Sequence, residues 1–326
     1  MEAVKENFYA TIDGLDTPVS RIFYGTAAPP YNTGGDGNAM LDRVMELGVN
    51  AFDCARVYGK AEASLGRWLA TRDDREKIVI LSKCGHPDPL GRRRVNAKAM
   101  QRDLTRSLAE LGTTYIDIYL LHRDDPASPV SEVVETFNEM KAAGKIRLFG
   151  GSNWTHQRIE AANEYAYAHG LQPFSVSSPN FGLAEQIDDL WGGGCVTISG
   201  KDGAAGREYY RKTQIPVIAY SSLGRGLFSG RLSPDATKKQ AAEVLDSYAM
   251  KGYYCAENLE RVRRCGELAA QKGVTVPQIA MAWIFRRGLN MFAVVSTSSA
   301  ERLQQNIEAC GIELTEDECR YLNLEV

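Results

Sequence analysis

Residues 51–60 read AFDCARVYGK, a stretch that begins as a short apolar segment and ends in a polar loop. Ala51 and Phe52 fit a buried strand that ends on Asp53, and Tyr58 follows five residues later, ahead of the helical pattern EASLGRWLA (62–70). An acid at the end of a strand with a phenol in the next loop is an arrangement that a barrel enzyme can use. Taken alone, these residues fit a strand-capping aspartate and a surface tyrosine equally well.

The next two apolar segments repeat the pattern. IVILSK (78–83) ends on Lys83, and IDIYLLH (116–122) ends on His122. Three successive predicted strands therefore carry an ionisable residue at the carboxyl end, where the active site of a parallel barrel lies. This repetition favours a functional site over three unrelated side chains.

Apolar, β-branched segments alternate with amphipathic helical segments along the whole chain. Eight strands are predicted, at 21–25, 50–55, 78–83, 116–122, 146–152, 174–178, 216–222 and 292–297. Eight strand–helix repeats with nearly continuous apolar strands predict one α/β domain over residues 1–326, a (β/α)8 TIM barrel with long loops at its carboxyl-terminal face.

An open, doubly wound sheet is the competing fold. Its first strand would run into G-x-G-x-x-G, which RIFYGTAAPP does not contain, and the spacing in LGRGLFSG (223–230) is wrong for that motif.

Helices are predicted at 97–111, 131–143, 155–169 and 299–310, with start signals at Ser131 and Thr155. The segments 191–213 and 231–253 are longer and more polar than a minimal barrel connection. Long loops on such a scaffold are typical of substrate or cofactor sites.

The charge balance argues against a nucleic-acid partner. The net charge is -3, the calculated pI is about 5.9, and the arginine run 92–94 fits a solvated loop. MEAVKENFYATIDG has no signal-peptide pattern and no apolar run reaches the ~18 residues of a membrane span, so a cytoplasmic protein without a membrane partner is expected.

The seven cysteines are scattered without C-x-x-C, and the four histidines are not paired at ligand spacing. Reduced, mostly buried thiols are expected, and no metal site is predicted. Cys54 and Cys84 flank the ionisable residues, so a nucleophilic thiol is the alternative to a packing role. A metal-dependent barrel hydrolase is the rival enzyme class, but it requires clustered histidines and carboxylates.

The residue types at the strand ends limit the reaction. A tyrosine has a pKa of about 10, and an adjacent ammonium such as Lys83 favours the phenolate and lowers that value. Asp53 can hold the Lys83 ammonium, and His122 can hydrogen-bond the reacting oxygen. A phenol that gives a proton to oxygen suits carbonyl reduction, and the hydride must then come from a nicotinamide cofactor.

From Arg21 to about Leu324 the chain resembles the aldo-keto reductases. FDCARVYG resembles the family's signature around its Asp and Tyr, LSK resembles its Lys segment, and LLHRDDP its His segment. The resemblance implies a (β/α)8 barrel that binds NADP(H) without a Rossmann domain. It also implies Tyr58 as general acid, Lys83 and Asp53 lowering its pKa, and His122 orienting the carbonyl.

The resemblance also implies a cofactor site. Gly25, Thr26 and Ala27 would border nicotinamide, Ser152 and Asn153 would bind its carboxamide, and Tyr220 would stack on its ring, unless Tyr220 is a core residue. Other implied cofactor contacts are Ser178 at the carboxamide, Ser221, Leu223, Gly224 and Gly226 around the pyrophosphate, and Thr297, Arg302, Gln305 and Asn306 around the adenosine 2′-phosphate and adenine.

The chain departs from the family pattern at several positions. Ser178 replaces a common Gln, Ser296 replaces a Lys of the 2′-phosphate clamp, and Ala27 replaces a substrate-lining Trp. No long carboxyl-terminal loop follows the final helix, so a wide pocket is expected. Its expected lining is the segments 27–31, 86–94, 123–125 and 191–213, with Trp154.

Two functions fit these residues. The first is an NADP(H)-dependent oxidoreductase that reduces an aldehyde or ketone, or oxidises the alcohol. The second is a non-catalytic nicotinamide-binding regulatory subunit with the same fold, against which the four filled catalytic positions argue. The substrate, the direction of reaction and the oligomeric state are left open.

Overall fold

Buried apolar strands organise the chain in the computed structural model, which describes residues 7–326. Residues 1–6, the start of the segment inspected for a signal peptide, lie outside the described residues. The barrel strands are β1 (Ile22–Gly25), β2 (Ala51–Asp53), β3 (Val79–Cys84), β4 (Ile116–Leu121), β5 (Ile146–Ser152), β6 (Val176–Ser178), β7 (Val217–Ala219) and β8 (Met291–Val295). They form a closed barrel in the order β8-β1-β2-β3-β4-β5-β6-β7, and the predicted TIM-barrel fold is confirmed.

Helices follow the strands. They are α1 (Asn38–Glu46), α2 (Ala61–Leu69), α3 (Ala97–Leu111), α4 (Val130–Ala142), α5 (His156–Ala168), α6 (Ala204–Thr213), α7 (Lys238–Val244), α8 (Ser247–Tyr253), α9 (Ala256–Lys272), α10 (Val276–Phe285), α11 (Ala300–Glu308) and α12 (Glu316–Leu322). A two-stranded sheet of Tyr9–Ala10 and Val19–Ser20 precedes the barrel.

Two compact units divide the described chain. Residues 10–178 contain β1–β6, and residues 179–326 contain β7 and β8. The prediction of one domain over residues 1–326 stays a prediction.

Aromatic side chains fill the space between strands and helices in residues 10–178. Phe137 of α4 stacks on Phe149 of β5 with ring centroids 4.9 Å apart, and Phe174 packs edge-on against both rings. Phe52 of β2 contacts Trp68 of α2 at 5.0 Å. These contacts bury one face of each helix against the sheet, which is the packing that a barrel requires.

The predicted helix starts are partly wrong. Thr155 caps α5 as expected, since its side chain accepts a hydrogen bond from the Arg158 amide. Helix α4 begins at Val130 after Pro129, so Ser131 lies inside the first turn and caps nothing. Pro129 is the residue at the N-cap, with the extended backbone (φ -61°, ψ 134°) that precedes a helix.

The polar segment 231–253, expected to be a loop, contains α7 and α8. Thr237 caps α7 in a reciprocal capping box with Gln240, and Asp246 caps α8 by accepting from the Ala249 amide at 2.7 Å. Both helices have seven residues, too short for a periodic apolar stripe to reveal them in the sequence.

No helix in residues 7–326 is long and apolar enough to span a membrane.

Candidate active site

Asp53, Lys83 and His122 come together at the carboxyl ends of their strands. Asp53 is the last residue of β2, Lys83 is the penultimate residue of β3, and His122 directly follows β4. All three are buried, with exposed fractions of 5%, 3% and 7%. The structure therefore brings together the charged residues that the sequence singled out.

Lys83 is the centre of this group. Its ammonium donates to an Asp53 carboxylate oxygen and to the Cys54 carbonyl at 2.9 Å. Burial by itself lowers the pKa of Lys83, but its interactions with neighbouring groups, chiefly the charge and hydrogen bond of Asp53, raise it more, so its pKa lies above the usual value. The amine therefore stays protonated at neutral pH.

Tyr58 lies against both Lys83 and His122. The Lys83 Nζ is 5.0 Å from the centre of the phenol ring, and the His122 imidazole meets that ring edge-on at 5.5 Å. The sequence thus correctly places the phenol beside its two predicted neighbours.

Lys83 lowers the pKa of Tyr58, as predicted, but the net shift in the free protein is upward. Burial raises the pKa of Tyr58, and this effect outweighs the lowering by the Lys83 charge and hydrogen bond. The Asp53 carboxylate raises the phenol pKa directly, so its help is confined to holding Lys83. Tyr58 is consequently a protonated phenol at neutral pH, the form that can donate a proton.

His122 is a neutral imidazole. Burial, the charges of Lys83 and Arg123, and the neighbouring His86 together lower the pKa of His122 well below the usual value. Its Nδ1 atom is buried and has no hydrogen-bond partner within residues 7–326. The His122 backbone is held in place, because its carbonyl accepts hydrogen bonds from the side chains of Arg123 at 3.0 Å and Asn153 at 3.2 Å.

Thr26, a predicted cofactor contact, supports Asp53. Its amide and its hydroxyl both donate to the Asp53 carbonyl, at 3.0 and 2.9 Å. Gly25 pairs in register with Asp53, and Ala27 is exposed at the following loop. Thr26 is thus bonded to the strand end that carries Asp53.

The predicted carboxamide contacts form a linked group at the ends of β5 and β6. The Ser152 hydroxyl donates to the Ser178 carbonyl at 2.9 Å, and the Asn153 side chain donates to the Ser152 hydroxyl at 3.2 Å. Asn153 has a left-handed backbone with φ of 59°, which asparagine tolerates better than most residues. All three residues are buried.

The residues predicted to contact the cofactor after β7 form a tight loop. Tyr220 directly follows β7, half-buried, with the Trp191 ring at 5.8 Å. Ser221, Gly224, Arg225 and Gly226 all have left-handed backbones, with φ between 52° and 100°. Leu223 lies between them and precedes the short 3-10 turn Gly224–Gly226. The amides of Gly224 and Gly226 donate to the carbonyls of Ser221 and Leu223, so the loop is a series of tight turns.

Arg302 lies in the first turn of α11 with an exposed side chain. Within residues 7–326 no carboxylate lies at ion-pair distance from its guanidinium, and the adjacent Glu301 accepts from Ser299 instead. Thr297 precedes the helix and accepts from the Ser299 amide at 3.1 Å. Gln305 is half-buried and Asn306 is buried on the same helix.

The cysteine alternative is not supported. All seven cysteines are free, and burial raises the pKa of Cys54 to about 12 and that of Cys84 higher still. A thiol with a raised pKa carries almost no thiolate at neutral pH, so neither sulfur is a nucleophile.

Trp154, expected to line the substrate, is a core residue. It is fully buried, packs on Phe174 at 5.1 Å, and lies so close to Gly151 that a Cβ there would meet its ring at 2.5 Å. The expectation from its loop position is therefore wrong, because the side chain turns back onto β5.

Two more residues lie near the site: Glu62, which the sequence analysis did not single out, and the half-buried His86, which begins a segment expected to line the pocket. Glu62 of α2 accepts from the Ser82 hydroxyl at 2.7 Å and pairs with Arg56, and it is only 1% exposed. His86 lies 5.0 Å from His122 between ring centroids. Glu62 reads as a surface charge in a helical pattern, whereas the position of His86 three residues after Lys83 was an available signal.

Comparison with known proteins agrees with the geometry. A model of the Aldo/keto reductase family matches residues 21–323. The chain belongs to the aldo/keto reductase family. Members of this family are oxidoreductases that act on carbonyl compounds and generally bind nicotinamide cofactors.

Several relatives are similar over most of the chain. Norsolorinic acid reductase A of Aspergillus parasiticus is 29% identical over 299 residues, covering 87% of this chain and 70% of the relative. An aryl-alcohol dehydrogenase of Pestalotiopsis microspora is 26% identical over 292 residues, covering 87% and 70%. A putative voltage-gated potassium channel subunit beta of Schizosaccharomyces pombe is 24% identical over 289 residues, covering 82% and 77%.

A solved structure has the same fold. Glycerol dehydrogenase from Gluconobacter oxydans matches with a TM-score of 0.75 and 23% identity, covering 97% of this chain and 94% of that one.

Proposed function

We propose that the protein is an NADP(H)-dependent oxidoreductase that reduces an aldehyde or ketone to the alcohol, or catalyses the reverse oxidation, with Tyr58 as the general acid or base. The observation that carries this proposal is the cluster of Tyr58, Lys83, Asp53 and His122 at adjoining strand ends. The rival reaction, metal-dependent hydrolysis, does not use a phenol, a charged amine and a neutral imidazole together.

Each side chain has one task in this proposal. The phenol of Tyr58 donates its proton to the carbonyl oxygen as charge develops there. The Lys83 ammonium, held by Asp53, stabilises the phenolate that remains. The neutral imidazole of His122 has one N–H, which orients the carbonyl oxygen by a hydrogen bond.

NADPH, when bound, supplies the hydride that no side chain can provide. The left-handed loop 221–226 fits its pyrophosphate, because glycines at 224 and 226 adopt φ of 59° and 100° without a side-chain penalty. Ser152, Asn153 and Ser178 offer polar atoms for the carboxamide. The ring of Tyr220 offers a stacking face for nicotinamide.

The 2′-phosphate of NADP fits Arg302. An exposed guanidinium with no carboxylate partner within residues 7–326 remains available to a phosphate. Thr297 and the first turn of α11 supply further donors, with Gln305 and Asn306 beyond them for adenine. Ser296 contributes no cation, so the preference for NADPH should be moderate.

A nicotinamide-binding regulatory subunit is the alternative, supported by the similarity to the putative channel subunit beta. Loss of NADPH absorbance with a panel of aliphatic, aromatic and hydroxylated carbonyl compounds separates the two functions. Turnover of any panel member supports the oxidoreductase. Tight NADPH binding without turnover across the panel would favour the regulatory subunit.

A further inference from the structure

His86 lies beside the catalytic imidazole without a task in the mechanism above. Its ring meets the His122 ring edge-on, with centroids 5.0 Å apart and planes at 75°. The side chain is half-buried, so part of it faces solvent while the remainder packs against the site. A group at this distance can reach a substituent of a substrate whose carbonyl contacts His122.

The protonation state of His86 follows from one hydrogen bond. Its Nδ1 atom lies 3.0 Å from the Pro87 carbonyl oxygen, which can only accept, so Nδ1 carries a proton. Burial, together with the charges of Arg123 and Arg94, lowers the pKa of His86 below its usual value. The neutral ring therefore keeps a lone pair on Nε2, which is a hydrogen-bond acceptor.

The backbone under His86 is held by an ion pair. Arg94 donates to the His86 carbonyl at 3.2 Å and pairs with Asp103 at 2.5 Å. The buried Asp103 carboxylate also accepts from the Gly85 amide at 3.1 Å. An acceptor held in place before binding costs less entropy to use than one on a mobile loop.

We propose that His86 is a specificity-determining residue whose Nε2 accepts a hydrogen bond from a substrate hydroxyl one or two carbons from the carbonyl. The preferred substrates are therefore hydroxylated aldehydes or ketones. This inference rests on the proposed carbonyl reduction. A neutral acceptor pairs with a hydroxyl donor, so hydroxy compounds fit this position.

The test compares substrates that differ only at the hydroxyl. Hydroxyacetone and butanone form one pair, and lactaldehyde and isobutyraldehyde form another, because a methyl group replaces the hydroxyl in each. Initial rates with NADPH are measured for the wild type, His86→Phe and His86→Gln. The Phe variant keeps a ring without an acceptor, whereas the Gln side chain places an amide oxygen near the position of Nε2.

We expect His86→Phe to lower kcat/KM for the hydroxylated member about three- to ten-fold, mainly through KM, and to leave the apolar member within about two-fold. His86→Gln should restore at least half of that loss. The matched control is His169→Phe, which removes an exposed histidine whose Nδ1 likewise contacts a backbone carbonyl, at 2.8 Å, and it should change neither member.

Equal losses for both members of a pair would overturn the inference, because a merely structural role does not distinguish them. It is also overturned if the wild type reduces other carbonyl compounds but shows no preference for the hydroxylated member. No turnover with any carbonyl compound is a separate result, which removes the proposed reductase function and this inference with it.

Discussion

Lys83 controls the protonation of Tyr58 in the proposed mechanism. Because its charge and hydrogen bond lower a phenol pKa that burial raises, removing the amine should raise the pKa of Tyr58 further. We expect Lys83→Met to lower kcat by at least about 10²-fold, within the range of general acid–base catalysis. The pH at which alcohol oxidation reaches half its maximum should move upward, since oxidation needs the phenolate.

The control for this variant is Lys98→Met, which removes an exposed lysine on α3 and should leave the rate and pH profile unchanged. The pH profile is measured with saturating cofactor and substrate. An unmoved profile in Lys83→Met would contradict the role given to the ammonium.

Arg302 decides the proposed preference for NADPH. A charge-assisted, bidentate contact to phosphate contributes about 1.5–3 kcal/mol, or roughly ten- to a hundred-fold in affinity. We expect Arg302→Ala to weaken NADPH binding about ten-fold or more and to leave NADH within about two-fold, because NADH has no 2′-phosphate. Fluorescence titration of both cofactors measures the difference.

The control is Arg320→Ala, which removes a partly exposed arginine on α12. If Arg302→Ala weakens the binding of both cofactors equally, or weakens the binding of neither, NAD replaces NADP as the assigned cofactor.

Strand β5 shows how tightly the barrel constrains its elements. Gly150 pairs in register with Val176 of β6, and a Cβ at Gly150 would lie 1.8 Å from the Val176 carbonyl oxygen. We therefore expect Gly150→Ala to destabilise the protein by more than about 3 kcal/mol, as overpacking against backbone does. Urea denaturation followed by circular dichroism measures the change.

Gly266 is the matched control, because it lies inside α9 and a Cβ there would meet no atom within 4 Å. Gly266→Ala should be neutral or stabilising by up to about 1 kcal/mol, since alanine favours a helix more than glycine does. A Gly150→Ala variant as stable as Gly266→Ala would show that β5 and β6 can shift apart.

The elements that the sequence predicts well are those whose burial follows a local pattern. All eight barrel strands appear within a few residues of their predicted positions, because continuous apolar segments leave little choice of environment. Helices α7 and α8 were missed because they are polar and are defined by the capping side chains of Thr237 and Asp246.

The sequence predicts the site residues whose positions follow from the strands. It does not predict the contacts that form between different strands and loops. Asp53, Lys83 and His122 are predicted directly, because each lies at the carboxyl end of an apolar strand, β2, β3 or β4. The sign of the Tyr58 pKa shift depends on burial, which no residue pattern near it reports. The contact of His86 with His122 likewise depends on the turn that follows β3.

At the scale of the whole molecule, the family and fold support an oxidoreductase, while Tyr58 and the three residues around it carry the claim that this chain is catalytic. The regulatory alternative keeps the same barrel and the same cofactor. Fold and cofactor binding are therefore the same for the oxidoreductase and the regulatory subunit. Only carbonyl reduction distinguishes the two functions.

The most direct measurement is reduction of a carbonyl compound by wild type and Tyr58→Phe, with NADPH affinity determined for both proteins. The substitution removes only the hydroxyl, so we predict a rate lower by ~10²- to 10⁴-fold and a nearly unchanged NADPH dissociation constant. A Tyr58→Phe protein that keeps more than about a third of the wild-type turnover, far above that range, would contradict Tyr58 as the proton donor.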